Sequence, residues 1–202
     1  MRRRIRWILC VGLIGVTFLL GGCLLNIFQT ARTLGKGNVA LTVGSGLFDF
    51  NLIGDETSYV LTPQVRLGVG VANGVDLGLQ TGFMVPLEGG DAGWFGATVD
   101  AKFAVVDEPD LLALSLGLGG GFSLETLGWD VFAGIFLDSN LPFVPIFVVY
   151  QPHLALAEGL ALIQHFAGGL KLRLSEKVRL LLQVDYDSYT YVSYGLAVEV
   201  EF

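Results

Sequence analysis

The chain has 202 residues, a formal net charge of −7, 52% hydrophobic residues and only 15% charged ones, where roughly 25% is usual. An acidic balance lacks the basic patch that phosphate backbones require, which excludes nucleic acid as a partner. A mean hydropathy of +0.63 in a chain this short calls for an apolar solvent, because so few residues cannot build a core large enough to hide so much apolar surface.

The chain opens with a basic head, Met1 to Arg6, followed by the apolar run Trp7 to Leu20 and then Gly21, Gly22 and Cys23. That order is an export signal. The string Leu20-Gly21-Gly22-Cys23 resembles the lipobox of bacterial lipoproteins: an aliphatic residue, two small residues and a cysteine. The resemblance implies diacylglycerol on the Cys23 sulfur, cleavage before Cys23, acylation of the new amino group and handling by lipoprotein-export machinery. The alternative is an uncleaved anchor, since Trp7 to Leu25 is 19 residues without a charge. On the lipobox reading residues 1–22 are a signal peptide, 23–37 a lipidated tether and 38–202 the folded domain. Loss of Arg2, Arg3, Arg4 and Arg6 leaves 8 basic against 19 acidic residues, a mature charge of −11. Cys10 leaves with the signal and acylation consumes Cys23, so neither a disulfide nor a thiolate metal site is expected. The stretch Gln29 to Asn38 also resembles the start of lipid-anchored outer-membrane barrels without a defined activity.

Beyond the tether the apolar residues alternate, which is the strand period. Val65, Leu67, Val69 and Val71 alternate with Gln64, Arg66, Gly68 and Gly70; Val75, Leu77 and Leu79 with Asp76, Gly78 and Gln80. Val99, Ala101, Phe103 and Val105 alternate with Thr98, Asp100, Lys102 and Ala104. Turn signals, with Asn73-Gly74 the strongest, delimit strands at 38–50, 58–72, 74–84, 93–106, 110–124, 127–138, 143–156, 161–174, 177–187 and 190–202. The stretch 139–157 has no charge but holds Pro142, Pro145 and Pro152, which rule out a membrane helix; were it irregular, eight strands would remain. The non-apolar positions are mostly glycine and alanine with scattered charges. A solvated sheet face would carry polar side chains in bulk, whereas small residues suit a crowded barrel interior. The expected fold is therefore all-β: a closed antiparallel transmembrane β-barrel of about ten strands, apolar outward.

An even strand count puts both ends of the barrel chain on one side, the periplasm for a lipid-tethered start. Aromatics then collect along the opposite rim: Phe48, Phe50 and Tyr59; Phe83, Trp94 and Phe95; Phe122 and Trp129; Tyr186, Tyr189 and Tyr191. At the chain's end Tyr194, Leu196, Val198, Val200 and the terminal Phe202 resemble the C-terminal signal by which the assembly machinery recognises outer-membrane barrels. Both resemblances imply the outer membrane of a Gram-negative-type bacterium, with membrane lipids and the assembly machinery as partners.

Alternation points Arg66, Lys102, Lys171, Arg173 and Arg179 inward, together with Asp76, Asp100, Asp130, Asp185, Glu199 and Glu201. Near-balanced charges in a low-dielectric interior form a pairing network. A narrow pore or transport path is the alternative, for small solutes steered by the same charges or for apolar molecules along the glycine- and alanine-lined wall. A lipid-modifying hydrolase or acyltransferase would need His153 or His165 beside a serine; Gln151-Pro152-His153 and Gln164-His165-Phe166 offer none nearby, so both histidines read as rim or lumen residues. The run Gly117 to Gly121 lacks the Lys-Ser/Thr ending of a phosphate loop. No metal-ligand spacing occurs, no cofactor is expected, and the short turns disfavour a role in binding other proteins.

Overall fold

The computed structural model describes residues 26–50, 58–108, 111–123, 128–139, 141, 145–156, 160–188 and 192–202. The export signal, Cys23, Tyr189 and Tyr191 lie outside the described residues. Ten strands run β1 Val39–Phe50, β2 Ser58–Ala72, β3 Val75–Pro86, β4 Gly93–Asp107, β5 Leu112–Ser123, β6 Gly128–Ser139, β7 Ile146–Leu156, β8 Leu160–Arg173, β9 Val178–Asp187 and β10 Val192–Glu201. Each is antiparallel to its neighbours in sequence, and β1 pairs with β10 to close a barrel. The seam runs in register from Ala40 opposite Glu201 to Phe48 opposite Ser193. Closure removes the two free edges an open sheet would leave.

Local sequence explains these boundaries. Asn73 and Gly74 are the two loop residues between β2 and β3, and Gly74 takes a φ of 75°, the left-handed conformation such a turn needs. The proline-bearing stretch does supply a strand, since Ile146 to Leu156 pairs with β8 along its whole length. Pro152 has no N–H to give, and the β6–β7 pairing lapses there, between Phe132 opposite His153 and Ile135 opposite Tyr150, with the register unchanged on either side.

Period-two alternation sorts the side chains. Along β3, Leu77 and Leu79 are about half exposed (48% and 49%), whereas Asp76 and Gln80 are 3% and 5% exposed. The outward set continues around the cylinder through Val43, Val99, Leu118, Ile135, Val148, Leu162, Val184 and Leu196. The inward set includes Arg66, Asp100, Lys102, Gln151, His153, His165 and Gln183, all buried. The barrel is thus apolar on its accessible face and polar within, the reverse of a water-soluble core.

The mouth bearing the β1–β2, β3–β4, β5–β6, β7–β8 and β9–β10 connections carries Tyr59, Phe83, Trp94, Trp129, Tyr186 and Tyr194 on its outer surface. Trp94 stacks on Phe122 at 6.2 Å, Phe122 meets Trp129 edge-on at 5.8 Å, and the Trp94 indole N–H donates to Thr81 Oγ1. Two expected rim aromatics are corrected. Phe48 and Phe95 are each 3% exposed and face the interior: Phe48 shares the lumen parity of Thr42 along β1, whereas Phe95, of the same parity as the outward Val99, is turned inward by the β-bulge that shifts the β3–β4 register beside it.

Candidate functional site

The lumen is occupied by the chain's own residues. Asn26 to Thr33, which the sequence offers only as a tether, lie inside the cylinder, and all but Arg32 are buried. The segment descends through the interior. At its upper end Asn26 Nδ2 donates to Asp185 Oδ2 (2.6 Å) and Ser193 Oγ (2.8 Å), and the Asn26 carbonyl accepts from Gln80 Nε2 at 3.0 Å. Lower down, the Ala31 N–H donates to Asp138 Oδ1 at 2.9 Å and Ser115 Oγ donates to the Ala31 carbonyl. Lys102 Nζ donates to the carbonyls of Thr30 and Arg32, each at 2.9 Å. At the lower rim the Leu34 N–H meets both Asp76 oxygens (3.0 and 3.1 Å) and the Gly37 N–H donates to the Gly70 carbonyl at 2.7 Å. An extended segment without secondary structure brings unpaired backbone groups into a dry interior, and these lumen side chains satisfy them.

The plug also explains a cluster of lumen glycines. A Cβ at Gly44 or Gly195 would overlap the Phe28 ring, one at Gly46 would overlap the Asn26 side chain, and one at Gly70 would overlap the Gly35 backbone. Phe28 is 2% exposed and fills the space those missing side chains leave. Elsewhere the lumen is filled from the wall: Gly117 and Gly134 make room for Phe136, and Gly119 for Phe132.

Most of the inward charges pair. Arg66 grips Asp100 with two bonds, 2.5 and 2.8 Å, and Lys102 lies 3.5 Å from Asp76. Arg179 bridges Glu199 (2.6 Å) and Glu201 (2.8 Å), while Thr42 lies 3.5 Å from Glu199. Asp130 accepts from His153 Nδ1 at 2.7 Å and Asp185 from His165 Nε2 at 3.1 Å, so each ring turns one nitrogen to a carboxylate. One expectation is corrected. Arg173 does not point into the network; it stands exposed where β8 leaves the barrel and donates only to the Ser175 carbonyl, because the last residue of a strand has cleared the wall. One partner is added. Asp138, fully buried, accepts from Lys171 Nζ at 2.6 Å as well as from the plug. It continues the alternation Asp130, Phe132, Gly134, Phe136 along β6, the signal that identifies it in the sequence.

The two imidazoles lie 6.2 Å apart between ring centres, and His153 packs on Phe132 at 4.9 Å. His153 Nε2 and His165 Nδ1 have no protein partner, so neither ring is joined to a serine. Gln29 Oε1 and Gln151 Oε1 are also unpartnered and border the same small cavity as His153, of a size to hold water. Among the described residues no group of three His, Cys, Asp or Glu side chains could hold a metal ion.

No protein-family model matches the chain, and no curated protein matches it. Solved structures similar to it include the N-terminal β-barrel domain of Pseudomonas aeruginosa OprF, at 15% identity and a TM-score of 0.42, covering 83% of this chain and 99% of that one. Neisserial surface protein A (NspA) aligns at 9% identity and a TM-score of 0.42, over 83% of this chain and 98% of its own. Acinetobacter baumannii Omp33 aligns at 10% identity and a TM-score of 0.42, over 84% and 100%. At these values the likenesses assign nothing to this chain; its architecture rests on its own strand register.

Proposed function

We propose that this chain is a lipid-anchored outer-membrane β-barrel with a structural role in a Gram-negative-type envelope and no open path through it. The observation that carries the reading is the lumen itself, polar, paired and filled by residues 26–34 inside an apolar shell. Hydrocarbon is the solvent that such a shell fits, and a closed barrel is the β-structure that satisfies its backbone there. Residues 1–22 serve as the export signal and Cys23 takes the lipid. The outward Tyr194, Leu196, Val198 and Phe202 on the closing strand suit recognition by the assembly machinery. A pore would need Arg66 and Asp100 free to meet a passing ion, and they are bonded to each other. A hydrolase would need a serine at His153 or His165, and both rings face carboxylates instead.

Metabolic labelling with palmitate, followed by separation of the two membranes, tests the reading. Label is expected in the outer-membrane fraction for wild type and lost in Cys23→Ser. Unlabelled wild type would refute the anchor. Discrete openings of the wild-type protein in planar bilayers would refute the closed lumen.

A further inference from the structure

The plug has a direction, and this direction bears on the lipid. Asn26 contacts Asp185, Ser193 and Thr62, and a Cβ at Gly46 would overlap its side chain. Gly37 and Asn38 pair with Gly70 at the rim where β1 begins and β10 ends, and Val39 exchanges backbone hydrogen bonds with Phe202 there. Gly46 stands seven residues up β1 from Val39. At about 3.3 Å per residue and a strand tilt near 40°, Asn26 therefore sits about 18 Å along the axis from the C-terminal rim. Cys23 precedes Asn26 by three residues, which span at most about 11 Å when fully extended. The chain cannot turn back to that rim within three residues, and the space it would need already holds Phe28, Thr30 and Ala31.

We propose that the chain leading into Asn26 enters through the aromatic mouth, beside the β9–β10 turn, so that the lipid on Cys23 lies on the membrane face opposite to the C-terminus. This rests on the lipoprotein reading above and departs from the expectation that both termini are periplasmic: the strands begin and end at one rim, but on this path the lipidated end crosses the lumen. With the C-terminal rim in the periplasm, the acyl chains occupy the outer leaflet, and the barrel threads its own anchor to the cell surface. Diacylglycerol held there needs an adjacent apolar surface, and Trp94, Trp129 and Tyr194 supply one around that mouth.

The test uses single cysteines in the full chain, since a thioether at Cys23 does not react with maleimide. Leu24→Cys, Ser188→Cys in the β9–β10 turn and Asn73→Cys in the β2–β3 turn are treated with a membrane-impermeant maleimide, before and after the outer membrane is permeabilised. Leu24→Cys is expected to share the labelling behaviour of Ser188→Cys and to differ from Asn73→Cys, whichever mouth faces the medium. Labelling that follows Asn73→Cys overturns the proposal. If Leu24→Cys stays unlabelled throughout, the pair Asn26→Cys and Ser193→Cys decides: an oxidant-dependent disulfide in cells supports the threaded path, and its absence refutes it. Wild type without palmitate but with the expected labelling pattern would sink the lipoprotein reading and leave the path intact.

Discussion

Replacing Asp138 by alanine removes the side chain that joins wall, plug and mouth. Asp138 is fully buried and carries two bonds, one from Lys171 Nζ at 2.6 Å and one from the Ala31 N–H at 2.9 Å. Loss of the carboxylate orphans a buried backbone donor, a cost of about 1–3 kcal/mol. Breaking a fully buried ion pair costs about 3–5 kcal/mol, but the Lys171 side chain is 13% exposed and reaches water at the mouth, so only part of that applies. The expected total is about 3 kcal/mol. Asp138→Asn keeps an oxygen for the Ala31 N–H and loses only the charge, so about half the effect is expected. In a Lys171→Met background the additional loss from Asp138→Asn should shrink further. Urea unfolding from lipid vesicles, followed by tryptophan fluorescence, measures all four variants. A loss below about 0.5 kcal/mol for Asp138→Ala would show that the plug is not held as described.

Asp100→Ala should cost about 3–5 kcal/mol by leaving the Arg66 guanidinium buried and unpaired, and adding Arg66→Met should recover most of it in the same unfolding assay. Gly70→Ala places a Cβ against the Gly35 backbone, which cannot rotate aside; limited proteolysis should then cut within residues 26–38 much faster than in wild type, while the barrel itself resists. Substituting residues 26–34 with a Gly-Ser stretch should open the lumen, giving steady conductance in planar bilayers where wild type is silent.

The barrel was legible because two local signals agree. Alternation along segments such as Val65 to Val71 sets the faces, and turns such as Asn73-Gly74 set the ends. The inward charges followed from the same period, with errors where a strand leaves the wall, as at Arg173, or where the period was not carried to a strand's last residues, so that Asp138 in β6 and Asp187 in β9, both buried and both inside the expected spans, went unread. The plug was illegible for a physical reason. Asn26 to Leu34 has no period, since a segment wrapped on all sides by lumen presents no single apolar face. Its partners on the wall lie 36 to 167 residues away along the chain, beyond any local pattern. Its trace in the sequence is on the wall: Gly44, Gly46, Gly68, Gly70 and Gly195 gather on the adjacent strands β10, β1 and β2, where plug residues occupy the space their missing side chains leave. Read alone, that cluster indicates only a crowded interior.

The inside-out arrangement of side chains underlies every step, and nitroxide labels report it most directly. Cysteines at Val43, Leu79, Leu116 and Leu182 point outward at mid-strand, and cysteines at Asn73 and Ser188 sit in turns at opposite mouths. With Cys10 and Cys23 replaced by serine and the protein refolded into vesicles, collisions with dissolved oxygen should dominate at the four strand sites and collisions with a water-soluble nickel chelate at the two turns. Strand sites that meet the chelate freely, or that meet neither reagent, would show that these side chains do not face hydrocarbon.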